Sequence, residues 1–287
     1  MISEDLISKT TIQLLKKAST GLPSDIKDAL QKGYEREEDD VPRMQLQAIL
    51  DNIAIADEKS LPMCQDTGIH IFYVSLGRGE AQNVEEAIRK GVMEATKIVP
   101  LRPNAVDPLT RENPGTNVGV RMPFINYKIT DKEYMEICAF PKGAGSENMS
   151  ALVMLPPSMG ISGIKEFALN TVVNAGGKPC PPIIMGMGIG GSADISMKLA
   201  KEALLRPIDK RHADKDVATL EGELLDALND TGIGPMGMGG KTTLLGVNIE
   251  KAYCHTASLP VAINIQCWAA RRASARLYPD GKVEYLD

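Results

Sequence analysis

From Ile69 onward the chain alternates short β-branched runs with helical stripes, and this alternation limits the fold to the α/β classes before any single residue is weighed. Ile69 to Leu76, IHIFYVSL, has strand character, and Val84, Ala87, Ile88, Gly91, Val92 and Ala95 then trace one face of a helix. Strand-like segments follow around Arg121 to Ile129 and Tyr134 to Phe140, then a helix from Gly163 to Ala175 that Gly176-Gly177 stops. A strand from Pro182 to Met187, helices from Ala193 to Leu204 and Val217 to Leu228, and strands near Thr243 to Ile249 and Leu259 to Ile265 complete the pattern. The first sixty residues read instead as three helices, the second carrying Ile26, Ala29, Leu30 and Tyr34 at helical spacing behind Pro23 and Ser24. No repeat or low-complexity linker divides the chain. The expectation is therefore one domain over residues 1–287, mainly helical over 1–60 and mixed α/β over 61–287.

Composition excludes several functions. A net charge of -5 with no clustered run of Lys and Arg argues against binding a phosphate backbone. Arg206 to Arg211 comes nearest to such a run and is expected to be a solvated loop after a helix. No apolar stretch is long enough to span a membrane, and the N-terminus mixes charge through its apolar positions, so a cytosolic protein is expected. The five cysteines, at 64, 138, 180, 254 and 267, are too scattered for a disulfide framework, leaving packing and metal or cluster ligation as their uses.

Two glycine-rich segments imitate nucleotide sites. Gly186, Gly188 and Gly191 match G-x-G-x-x-G after a strand and before a helix, but so late in the chain that a dinucleotide is not expected. The same backbone offers its amides to another anion, a carboxylate or a cluster. In the second segment Gly240-Lys241-Thr242 ends like a phosphate loop, yet the glycine required five residues before Gly240 is Pro235, so a tight turn is expected.

Met63-Cys64-Gln65-Asp66-Thr67-Gly68 resembles the cysteine signature of class I, iron-sulfur fumarases and the related tartrate dehydratases. Further blocks resemble the same family in the same order: Lys142 to Asn148, Cys180-Pro-Pro with Gly186 to Gly191, Arg206-Pro-Ile, and His255-Thr to Cys267-Trp-Ala-Ala-Arg271-Arg272. The resemblance runs from about the third helix to the end and covers what is the N-terminal half of single-chain fumarases. It implies the α subunit of a two-subunit hydro-lyase acting with a separate β subunit, in a hetero-oligomer with contacts between α chains.

The resemblance also implies roles. Cys64, Cys180 and Cys267 would bind three irons of a 4Fe-4S cluster, leaving the fourth iron open to a small dicarboxylate. His255 matches a histidine that contacts substrate, and its titration range suits proton handling. Asp66 would be catalytic with it, and Gln65, Arg102, Gly143 and Gly145 would bind substrate, the arginine as a carboxylate clamp and the glycines through close backbone amides. Cys138, Cys254, His70 and His212 keep ordinary structural roles. The general base for the C3 proton is missing from this chain and is expected on the β subunit. Tartrate dehydration is the near alternative to fumarate hydration. A non-catalytic iron-sulfur or regulatory subunit and an NAD-dependent oxidoreductase are the alternatives from other classes.

Overall fold

The structure, a computed structural model, describes residues 1–78 and 81–286. In chain order the first elements are α1 (Glu4–Thr20), α2 (Ser24–Arg36), α3 (Asp40–Lys59), β1 (Ile69–Leu76), α4 (Val84–Ile98), β2 (Phe124–Ile129) and β3 (Met135–Lys142). They are followed by α5 (Ala144–Glu147), β4 (Ala151–Leu155), α6 (Gly160–Ala175), β5 (Ile183–Ile189), α7 (Ala193–Ala203) and α8 (Lys215–Asn229). The last are β6 (Leu244–Lys251), β7 (Leu259–Gln266), β8 (Ala273–Leu277) and β9 (Val283–Leu286). The expected α/β class and the helical N-terminal region are both present. Two compact units form, and each draws on separated stretches of chain. The first takes Met1–Ser24, Asn52–Ala144 and Arg271–Asp287, and the second takes Asp25–Asp51 and Gly145–Ala270. The helical N-terminal region is therefore shared out between the two units.

In the first unit a five-stranded sheet runs in the order β2-β1-β3-β8-β9, with β1 and β2 parallel and the other neighbours antiparallel. Helix α1 begins where the Ser3 hydroxyl accepts the Leu6 N–H at 3.2 Å, with Glu4 and Asp5 complementing the helix dipole. It buries Ile7, Leu14, Leu15 and Ala18 with Ala87, Ile88, Val92 and Ala95 of α4 and Phe72 and Val74 of β1. Gly91 lets α1 and α4 approach, since a Cβ there would stand 2.6 Å from Thr11.

The second unit carries a four-stranded sheet in the order β4-β7-β5-β6. Ile183, Met185 and Met187 of β5 and Val261, Ile263 and Ile265 of β7 share one core with α6 and α8. Alternate residues face the other way. There Gly186 and Gly188 admit α7 so closely that a Cβ would meet the carbonyls of Ala200 and Ser196 at 2.1 and 2.0 Å. Among the described residues no helix is long and apolar enough to cross a membrane.

Three strands went unpredicted. Ala151–Leu155 is a five-residue apolar run whose period fits helix as well as strand, and β8 and β9 alternate too briefly to stand out from a loop.

Candidate functional site

In the first unit the turn around Cys64 is fastened before it begins. The Met63 N–H donates to the Ser19 carbonyl at 3.0 Å, and the Asn52 side-chain amide donates to the Met63 carbonyl at 2.8 Å. Gly68 closes the turn with φ at +79°, and a Cβ there would stand 2.8 Å from the Lys142 backbone, so glycine alone lets the turn lie on the end of β3. Thr67 brings in Arg102: its hydroxyl accepts the Arg102 N–H at 3.0 Å, while the Asn117 amide holds the Arg102 carbonyl at 2.9 Å. In the irregular stretch between α4 and β2, Arg102 thus has a pinned backbone and an exposed side chain. Gln65 is exposed beside it.

The Asp66 carboxylate accepts the Gly68 N–H at 2.9 Å, the Asn104 amide at 3.2 Å and the Ala144 N–H at 2.8 Å. Gly143 is tight against it, since a Cβ would stand 3.0 Å from Asp66 Oδ2. The Arg271 Nη1 donates to the Asp66 carbonyl at 2.7 Å. Cys64, Gln65, Asp66, Arg102 and Gly143, spread over eighty residues of sequence, are accordingly gathered in one place. His70 lies in the same unit, buried, with neither ring nitrogen bonded to a described residue. Burial first, and then the charge of Arg271, lower its pKa from 6.5 to about 4.

The second unit gathers the other two predicted ligands. Cys180 adopts φ +56°, unusual for a non-glycine residue, and its carbonyl accepts the Trp268 N–H at 3.3 Å, which sets Cys267 next to Cys180. Gly145 belongs here too, because a Cβ on it would stand 3.6 Å from the Lys178 carbonyl, two residues before Cys180. The following segment is tied to β7: the Asn264 amide donates to Glu147 at 3.1 Å and to the Ser150 hydroxyl at 2.7 Å, and Lys201 pairs with Glu147.

His255 is not brought to that place. It is exposed in the turn between β6 and β7, where its Nδ1 accepts the Ala257 N–H at 3.1 Å. Because β7 runs from Leu259 to Gln266 before Cys267, His255 and Cys267 lie beyond opposite ends of a strand that spans about 23 Å at 3.3 Å per residue. Cys254 in the same turn is exposed and therefore not the packing residue expected, whereas Cys138 on β3 has its thiol pKa raised by burial.

Both nucleotide-like segments have internal uses. The Gly190 and Gly191 N–H groups donate to the Pro260 and Tyr253 carbonyls, at 2.9 and 3.2 Å, so neither is left for an outside anion. At the second segment the Lys241 N–H and the Thr242 N–H donate to the buried Glu37 carboxylate, at 2.9 and 2.8 Å. An amide cradle exists, and a carboxylate of the same chain fills it. Arg206 is likewise no solvated loop residue, since it pairs with fully buried Glu221 and donates to Glu250 at 3.3 Å.

The donor set suits an iron-sulfur group. No cysteine forms a disulfide, and Cys64, Cys180 and Cys267, each partly exposed, offer the soft thiolates that such clusters take as ligands. Among the described residues no three His, Cys, Asp or Glu side chains converge as a ready site for one metal ion. A cluster asks for something different, because each thiolate binds an iron of its own.

Comparison with known proteins bears on the class. A family model described as fumarate hydratase (Fumerase) matches residues 8–276. A protein of Methanocaldococcus jannaschii with the provisional name L(+)-tartrate dehydratase subunit alpha is 55% identical over 284 residues, covering 96% of this chain and 99% of its own. The L(+)-tartrate dehydratase subunit alpha of Escherichia coli K12 is 34% identical over 274 residues, covering 93% of this chain and 89% of its own. A protein of Geobacillus stearothermophilus provisionally named class I fumarate hydratase is 36% identical over 278 residues, and this chain spans 54% of its length. Hydration in one name and dehydration in the others are both hydro-lyase chemistry. The chain belongs to the fumarate hydratase (Fumerase) family, and by that membership it is a hydro-lyase.

Proposed function

We propose that this chain is the α subunit of an iron-sulfur hydro-lyase that interconverts fumarate and malate with a β subunit, its two units working as one domain over residues 1–287. The family match across residues 8–276 carries this reading. The alpha-subunit names of two relatives support the partner. In the proposal Cys64, Cys180 and Cys267 would hold a 4Fe-4S cluster. When bound, such a cluster supplies a Lewis-acidic iron with no protein ligand, able to polarise the C–O bond that breaks.

The remaining work falls to this chain's own groups. Arg102 offers its guanidinium fork to a substrate carboxylate, and the bond from its backbone N–H to Thr67 fixes the point from which that side chain reaches. Gln65 donates its amide beside it. Gly143 and Gly145, lacking side chains, let the backbone approach the anion. Asp66 is the catalytic carboxylate: three of its roughly four acceptor sites are occupied by Gly68, Asn104 and Ala144, which leaves one to receive a proton. His255 handles protons as well, and the base that takes the C3 proton comes from the β subunit. A reducing compartment, the cytosol, suits five cysteines without a disulfide.

The test is anaerobic iron and sulfide content of the wild type against Cys64→Ser, Cys180→Ser and Cys267→Ser. Each variant should lose most of its cluster, and a full complement in any one of them removes that cysteine from the ligand set. Dehydration of L(+)-tartrate is the second reading, favoured by the names of the Methanocaldococcus and Escherichia relatives. Turnover of malate against L(+)-tartrate by the reconstituted pair separates the two.

A further inference from the structure

Arg271 is among the largest fully buried side chains, 1% exposed. Its charge has no carboxylate partner among the described residues, and its Nε has no acceptor there. The last paired residues of β3 and β8 are Ala139 and Ala273. Two residues further along the same register Arg271 falls opposite Pro141, which is itself paired with His70 across β1 and β3. Arg271 and His70 thus occupy one cross-strand row, and the second cannot neutralise the first.

A buried guanidinium without a carboxylate is costly, and an apolar side chain of the same volume would serve stability better. What the guanidinium does grip is the Asp66 carbonyl, at 2.7 Å. Gly143 leaves room for this, since a Cβ there would crowd Asp66 Oδ2 at 3.0 Å and Arg271 Nη2 at 3.4 Å. Asp66 is therefore held twice: by its carboxylate, through Gly68, Asn104 and Ala144, and by its carbonyl, through Arg271.

We infer that Arg271 is a positioning residue, which fixes the Asp66–Thr67 peptide so that the Asp66 carboxylate, and the Gln65 amide just before it in the turn, meet substrate in a set orientation. The assignment of substrate to those two groups rests on the function proposed above, whereas the grip on Asp66 does not.

Hydrogen exchange on the full-length apo chain tests the grip without cofactor or turnover. The Gly68 and Ala144 N–H groups both donate to the Asp66 carboxylate, so they report whether Asp66 is in place. In Arg271→Met both should exchange at least about tenfold faster while β5 amides of the other unit keep their wild-type rates, and Arg271→Lys should fall between. Unchanged exchange at Gly68 and Ala144, or a uniform rise over both units, overturns the inference. Should Arg271→Met not fold, Arg271→Gln and Arg271→Lys give the same comparison. In the reconstituted pair, matched for iron per chain, the variant should also raise KM about tenfold. Altered exchange with kcat and KM unaltered per cluster would equally overturn it. A wild-type pair that dehydrates neither malate nor tartrate defeats the proposed function instead, and the exchange data still decide whether Arg271 sets Asp66.

Discussion

His70 shows how a single buried group contributes to the acid response of the chain. In the unfolded chain its imidazole takes a proton near pH 6.5, while in the fold burial and Arg271 hold that step to about pH 4. Between those values the unfolded state binds more protons, so stability falls as the pH drops through the window and recovers as it rises. The full effect, reached near pH 4, is roughly 3 kcal/mol. His70→Leu should abolish that part of the acid loss, so urea titrations of the apo chain at pH 7 and pH 4.5 should show a smaller difference for the variant than for the wild type; an equal difference would assign the acid loss elsewhere. Neither the burial of His70 nor that of Arg271 was legible from the sequence. Arg271 and Arg272 stand side by side in the same motif, and only the in-and-out alternation of β8, continued back two residues, separates the enclosed one from its neighbour. Asp66 and Arg102, by contrast, were singled out by the family resemblance, which gave no sign that Thr67 joins their two segments.

Strand β5 explains why the glycine fingerprint misleads. Its alternation sends Met185 and Met187 into the core and leaves Gly186 and Gly188 as the floor on which α7 lies. In a dinucleotide site the first glycines shape the turn after the strand, whereas here they are inside it. Gly188→Ala would drive a methyl against the Ser196 carbonyl, 2.0 Å away, and the α7 backbone must move. The expected cost is about 3 kcal/mol, read as a lower urea midpoint with the slope unchanged. A shift under a few tenths would mean that α7 is free to retreat. Glu37→Ala makes the matching test at the other false motif: two buried amides lose their acceptor, for roughly 2 to 4 kcal/mol. The elements with a strong period, such as β1 and α4, were read to within a few residues of their ends. Those that failed were short strands whose partners are distant in sequence, β4 beside β7 and β8 beside β3, because pairing rather than local pattern makes them strands.

At the scale of the molecule, the chain spans about half the Geobacillus relative and nearly all of the one from Methanocaldococcus, which fits a hydro-lyase divided between subunits. The chain alone should accordingly bind iron and sulfide yet turn over neither malate nor tartrate, and robust turnover without a β subunit would contradict the division. A second consequence concerns His255. The family resemblance gives it a substrate contact, while the fold sets it the length of β7 away from Cys267 within one unit. Both hold together when His255 of one copy serves the site of another, and the family resemblance implies contacts between α chains. In a symmetric dimer, His255→Asn and Cys267→Ser chains spoil different sites, so a mixed dimer keeps one site with an intact histidine and intact cysteines. Coexpressing the two variants with the β subunit should then restore about a quarter of the wild-type rate, as random mixing makes half the dimers mixed and each keeps one site of two. Mixtures as inactive as either variant alone would refute service in trans, and a fully active His255→Asn enzyme would remove His255 from the chemistry.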